Sequence, residues 1–201
     1  MNRIERGHIK HAVMKSIEES QPHSIFFISD YAELGAAETI RKILHEATIT
    51  GALEKAGHGI YVKPKNSRFG HVPAPLEKIA KEIAARDRCV ILPTGNTAAN
   101  LIGLSTQVPM NLSYITTGST RTVKIGERKI SFHHASPKNF AAKGSVMPLL
   151  IQGLREIGEG KISEADMTAL KSFIYRQKDP HLQEDLQLAP AWMQRIIKKL
   201  M

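Results

Sequence analysis

The stretch from Ile28 to Lys65 constrains this chain most, because it breaks into three pieces, ISDYAELG, AETIRKILHEA and GALEKAGHGIYVKPK, with different periodicities. In the first, Ser29 has the side chain of an N-cap, Tyr31 and Leu34 form the inward face of a short helix, and Gly35 is a turn residue able to take positive φ. In the second, Ile40, Ile43, Leu44 and Ala47 recur at i, i+3, i+4 and i+7 and turn inward, so Glu38, Thr39, Arg41, Lys42 and His45 point outward. In the third, a short polar strand carrying Lys55 leads to a turn at Gly57, His58 and Gly59, and Ile60, Tyr61 and Val62 return ahead of Lys63 and Lys65. A preceding helix from about Arg3 to Ser20, with Ile9, Val13 and Ile17 on one stripe, completes a three-helix support. This order predicts a winged helix-turn-helix. Its outward helix face is the surface offered to the major groove, and the hairpin is the wing lying along phosphates or in the minor groove.

Charge points the same way. The formal net charge is +9 and the sequence pI is near 9.7, which favours an acidic partner, most commonly nucleic acid. Residues 1 to 70 hold 10 basic and 8 acidic side chains, a net of +2, while residues 71 to 201 hold 18 and 11, a net of +7. Much of that excess falls between 121 and 143, where Arg121, Lys124, Arg128, Lys129, Lys138 and Lys143 face the single acid Glu127. Two readings fit this density: a phosphate-tracking surface that extends the DNA contact, and a solvated basic strand face. The apolar fraction of 42% describes a globular chain, and no apolar run reaches the length of a membrane span. MNRIERGHIK lacks the apolar core of a secretory signal, so the expectation is a cytoplasmic protein without membrane contact. Cys89 is the only cysteine, which excludes an intramolecular disulfide and a multi-cysteine zinc site.

Pro64, Gly70, Pro73 and Pro75 mark KPKNSRFGHVPAP as a linker, giving a DNA-binding domain over 1–70 and a second domain over 71–201. The second domain reads as mixed. A helix at Leu76 to Arg86 turns Leu76, Ile79, Ala80 and Ile83 inward, a buried strand spans Cys89 to Leu92, and a helix spans Thr97 to Leu104. Strands follow at Leu112 to Thr116 and Thr122 to His134, the latter folding back at Gly126. The tail is helical, with helices at Pro148 to Ile157, Ser163 to Tyr175 capped by Ser163, and Ala191 to Leu200. The fold class is therefore α+β: a winged helix-turn-helix, then a mixed α/β domain with a helical tail.

No constellation in the second domain carries catalysis. Thr94 to Thr97 joins a strand to a helix N-terminus and reads either as an anion site or as a plain turn; it lacks the lysine of a P-loop and the spacing of a dinucleotide fingerprint. His133 and His134 are adjacent on a strand, cannot share a metal ion, and read as one core and one surface residue. Gly118 and Ser119 could begin a nucleotidyltransferase element, but no Asp-x-Asp pair follows. Catalytic residues, metal ligands and cofactors are therefore expected to be none.

Three blocks also carry a resemblance: LGAAETIRKILHEA with GHGIYVKP, PTGNTAANLIGLSTQVP, and YITTGSTRTVKIGERKISFHHASPKN. In this order, over most of the chain, they resemble AbiEi-type antitoxins of type IV toxin-antitoxin systems. The resemblance implies a protein that represses its own operon through the N-terminal domain and counteracts a nucleotidyltransferase toxin encoded beside it through the C-terminal domain. The expected partners are double-stranded promoter DNA and that cognate toxin, with the chain a monomer or weak dimer that loads cooperatively on DNA. The expected DNA-binding residues are Glu38, Thr39, Arg41, Lys42, His45, Lys55, His58, Lys63 and Lys65, joined by Arg121, Lys124, Arg128 and Lys129. A winged-helix regulator whose second domain senses a small anionic ligand at Thr94 to Thr97 is the alternative.

Overall fold

The computed structural model describes residues 3–201, and they form a mixed α+β protein that ends in a helical tail. The chain divides into two compact units: residues up to Glu82 together with Val123–Glu127, and Ile83–Thr122 together with Arg128–Met201.

In the first unit α1 (Arg3–Glu19) is followed by β1 (Ile25–Phe27), a 3-10 turn (Ile28–Tyr31), α2 (Ala37–Ile49), β2 (Glu54–Gly57) and β3 (Ile60–Val62). The three strands form an antiparallel sheet in the order β1-β3-β2. The apolar stripes meet as their spacing requires, with Val13, Ile17, Ile40, Ile43, Leu44 and Ala47 at most 1% exposed. Phe26, Tyr31, Leu53 and Tyr61 complete this core. The hairpin turns at His58 and Gly59, where Gly59 has φ +67°. Ala56 is bulged out of the β2–β3 register, and its carbonyl accepts the Gly126 N–H at 3.2 Å. Gly57 is required beside it, since a Cβ there would lie 2.6 Å from the Lys124 carbonyl oxygen.

Four local expectations are corrected. Ser29 is not the N-cap, because the short turn begins after Phe27, whose N–H donates to the Asp30 carboxylate at 2.8 Å. Leu34 is 43% exposed. Gly35 does not take positive φ; its use is space, since a Cβ there would meet Ile9 Cδ1 at 2.9 Å. The proline-bounded stretch holds a small hairpin, β4 (Lys65–Ser67) with β5 (Gly70–Val72), and the compact units part inside α3 (Leu76–Arg86) rather than near residue 70. The hairpin is held by His23 Nε2, 2.8 Å from the Val72 carbonyl oxygen, and by His71 Nδ1, 3.1 Å from Glu54 Oε1. On α3 itself Leu76, Ile79, Ala80 and Ile83 are buried, matching their spacing.

The second unit holds β6 (Ile91–Pro93), α4 (Gly95–Leu101), β7 (Leu112–Thr116) and β9 (Arg128–His134), while β8 (Arg121–Ile125) starts in it and has residues 123–125 in the first unit. The sheet order is β6-β7-β9-β8, with β6 antiparallel and β9 parallel to β7. Only the strand Ile91–Pro93 forms where Cys89 to Leu92 suggested a buried one; Cys89 is half-buried and Val90 is 54% exposed. Gly126 turns the β8–β9 hairpin at φ +57°. The tail comprises α5 (Val146–Ile157), α6 (Glu164–Gln177), a short α7 (Leu182–Asp185) and α8 (Ala191–Leu200). Ser163 caps α6 with Asp166 in a reciprocal capping box. Ile102, Met147, Leu150, Leu154, Leu170, Met193 and Ile197 form the core of this unit. No helix among the described residues is long and apolar enough to cross a membrane.

Two carboxylates, the buried Asp185 and the half-buried Asp179, anchor segments between regular elements. The buried Asp185 carboxylate accepts the N–H groups of Lys143 and Gly144 at 3.0 and 2.7 Å. Asp179 accepts those of Val146 and His181, both at 2.9 Å. Burial pushes the Asp179 carboxyl up, but hydrogen bonds from the Val146, His181 and Ser145 backbones outweigh it, and its pKa lies below the ordinary carboxylate value. The stabilisation is therefore present above the unfolded-state pKa of about 4 and is lost as pH falls through the lower, folded value. Asp179→Asn should cost about 1–3 kcal/mol at neutral pH, and urea titrations of the two proteins should converge in acid; equal stability at pH 7 would remove Asp179 from the account. In the first unit, Lys63 Nζ donates to the carbonyls of Ile17, Glu18 and Ser20 at 2.8, 2.7 and 2.7 Å, closing the C-terminal end of α1. Lys63→Ala should lower stability by about 1–3 kcal/mol, read from the urea midpoint at unchanged m-value.

Candidate nucleic-acid interface

Because α2 buries Ile40, Ile43, Leu44 and Ala47, its remaining arc is committed to solvent, and that arc carries Arg41, Lys42 and His45. The β2–β3 hairpin follows α2 closely and brings Lys55, His58 and Gly59 to the same side. Between them lies a concavity of about 310 Å³ lined by Arg41, Lys42, His45, Lys55 and His58, with Ile28 and the buried Tyr61 as further lining. Three permanent cations and two imidazoles thus share one groove, and no carboxylate is among its described lining residues. Such a surface attracts a polyanion. The arginine fork can bond two oxygens or a guanine edge, while the lysines act as point charges on phosphates.

Glu38 sits at the margin of this groove and partly neutralises it. Its carboxylate accepts Arg41 Nε and Nη2 at 2.9 and 2.8 Å and lies 3.5 Å from Lys42 Nζ. The Arg41 hydrogen bonds, supported by the charges of Arg41 and Lys42, hold the Glu38 carboxyl below its usual range, and Arg41 is raised in return. Both side chains are more than half exposed, so this pair is weak in water and can open when a competing phosphate or base edge arrives.

The other expected contacts are placed elsewhere. Thr39 is 9% exposed and does not lie on the outward face. Its position one residue before Ile40 puts it at the edge of the apolar stripe, and the fold closes over it. The Lys63 ammonium is committed to the carbonyls of α1, and Lys65 is exposed on β4, outside the groove lining. Arg121 pairs with Asp87, lies 5.5 Å from the Phe132 ring centroid, and keeps a buried Nε without a partner. Burial, with the neighbouring Arg86 charge, lowers its pKa. Alternation carried a signal for this: Arg121 shares strand parity with the buried Ile125, whereas Thr122 and Lys124 take the other, exposed face. Lys124 and Lys129 are exposed and Arg128 is half-buried. Sequence reading did not anticipate Tyr61 and Ile28 as groove residues, since apolar side chains at those positions read as core.

Elsewhere the structure supplies structural uses for candidate chemistry. Thr94 Oγ1 donates to Gln152 Oε1 at 2.9 Å, and Thr97 Oγ1 accepts the Ser113 N–H at 2.9 Å, so both hydroxyls of the strand-to-helix loop are employed within the fold. His133 and His134 are both exposed, which corrects the expectation that one lies in the core. Among the described residues no three His, Cys, Asp or Glu side chains gather as a metal site.

Residues 12–182 match the family of unknown function DUF6088, and the chain belongs to that family. No curated protein matches it.

The Glu38 pair generates a test. Glu38→Gln should release Arg41 and Lys42 and raise affinity for duplex DNA by about three- to tenfold, the scale of one exposed charge pair, in a fluorescence-anisotropy titration. The salt slope should steepen by about one unit for a newly engaged phosphate contact. Weaker binding would instead make Glu38 a direct contact, for example to a cytosine amino group.

Proposed function

We propose that this chain is a DNA-binding antitoxin of a type IV toxin-antitoxin system, which represses its own operon and counteracts a nucleotidyltransferase toxin encoded beside it. The observation that carries the DNA-binding half is the groove in which Arg41, Lys42 and His45 of α2 meet Lys55 and His58 of the hairpin. On this reading the first unit is a winged helix-turn-helix. The support is its order of helix, strand, turn, helix and hairpin, with β1 pairing on β3 in a three-stranded sheet. Helix α2 then enters the major groove, with Arg41 and Lys42 at base edges or adjacent phosphates, and the hairpin tip tracks the backbone. A two-fold operator would be occupied by two chains at helical-turn spacing.

The antitoxin half rests on the resemblance carried by the PTGNTAANLIGLSTQVP and YITTGSTRTVKIGERKISFHHASPKN segments. These run from the end of β6 through α4, and from within β7 through β8 and β9. The proposal therefore gives the two activities separate residues, and both can be tested in the full-length protein.

A triple variant, Arg41→Ala with Lys42→Ala and Lys55→Ala, removes three exposed side chains and leaves the apolar stripe of α2 intact. It should lose repression of a reporter driven by the operon's promoter, with each lost base contact weakening binding by about 1–3 kcal/mol. Co-expressed with the adjacent toxin gene, the same variant should still restore growth. Retained promoter binding would remove the groove as the DNA site, and failure of the wild-type chain to rescue growth would remove the antitoxin assignment.

A further inference from the structure

Within the second unit a cavity of about 370 Å³ has Lys138, Gln152 and Arg155 among its polar lining and Pro148, Ile151 and Leu188 among its apolar lining. No Asp or Glu is among its described lining residues, and among the described residues neither Lys138 nor Arg155 forms an ion pair. Two solvent-exposed cations therefore line one open cavity with no carboxylate among its described lining residues.

Gln152 sharpens this. It is 3% exposed, and its Oε1 accepts the Thr94 hydroxyl at 2.9 Å and lies 3.5 Å from Arg155 Nη1. With that oxygen facing both Thr94 and Arg155, the NH2 group is the other end of the amide, and no described residue accepts from it. An amide N–H on a cavity wall can donate to a bound acceptor. Thr94 thus acts through Gln152: by occupying the carbonyl oxygen it makes the cavity wall a donor.

We propose that this cavity binds a small organic anion, a carboxylate or phosphate carried on an apolar body. Lys138, Arg155 and the Gln152 amide hold the charged head, and Pro148, Ile151 and Leu188 pack the body. The volume lies in the range of small-molecule sites, and an apolar wall with a few convergent polar groups is the usual composition of one. This site is independent of the groove proposed for DNA.

The test is isothermal titration calorimetry of the full chain with phenyl phosphate, benzoate and the neutral benzyl alcohol. Saturable binding of either anion at one equivalent, with none of the alcohol, is the expected result, and the tighter anion identifies the headgroup. Affinity should fall about tenfold or more in Arg155→Gln and in Lys138→Gln, the loss of one charge-assisted contact, and should persist in Lys42→Gln, which alters only the other groove. Should Arg155→Gln fail to fold by circular dichroism, Lys138→Gln, on an exposed turn, decides. Absence of saturation by both anions, equal binding of the alcohol, wild-type affinity in the folded variants, or loss of binding in Lys42→Gln would each overturn the proposal.

Discussion

Burial of one face of α2 is the constraint on which the first unit depends. Ile40, Ile43, Leu44 and Ala47 are at most 1% exposed, and a helix so anchored cannot roll about its axis without bringing apolar surface into water. The arc opposite is then fixed in direction. Arg41, Lys42 and His45 face outward because they share one face at three- and four-residue spacing, away from the buried stripe, and the groove inherits its charge from that geometry. The hairpin completes the groove because it starts soon after α2 ends and its returning strand, β3, pairs with β1, which limits where Lys55 and His58 can lie.

The second unit is held by different means. A parallel pair between β7 and β9 lies at the centre of its sheet, flanked by antiparallel β6 and by β8, and the helical tail builds its own apolar core around Met147, Leu150, Leu154 and Ile197. Where the chain passes between elements without regular hydrogen bonds, the carboxylates of Asp179 and Asp185 accept backbone N–H groups that would otherwise lack partners. These acids are electrostatic in character but structural in use.

A net charge of +9 is accordingly a poor map of a binding surface. Lys63 closes a helix end, Arg121 pairs with Asp87 against Phe132, and Lys143 pairs with Glu184. Shape gathers some of the others: one set in the groove of the first unit and two residues, Lys138 and Arg155, in the cavity of the second. Cations that look alike in the sequence differ in whether a backbone carbonyl or a carboxylate lies within reach once the chain has folded.

The sequence by itself determined what depends on neighbours a few residues away. The inward faces of α2 and α3 follow from helical spacing, the β8–β9 hairpin from a glycine able to take φ +57° at Gly126, and the α6 start from the Ser163 hydroxyl within reach of Asp166. These are local rules of geometry and capping, and they act before any long-range contact exists. Tertiary structure alone decided the burial of Thr39, the capping of α1 by Lys63 from more than forty residues away, the β4–β5 hairpin in a proline-bounded stretch and the parallel register of β7 with β9. It also decided which cations share a groove. The physical reason is that a long flexible side chain, or a strand seeking a partner, takes its place from groups brought near by chain closure, and periodicity along the sequence carries no record of that distance.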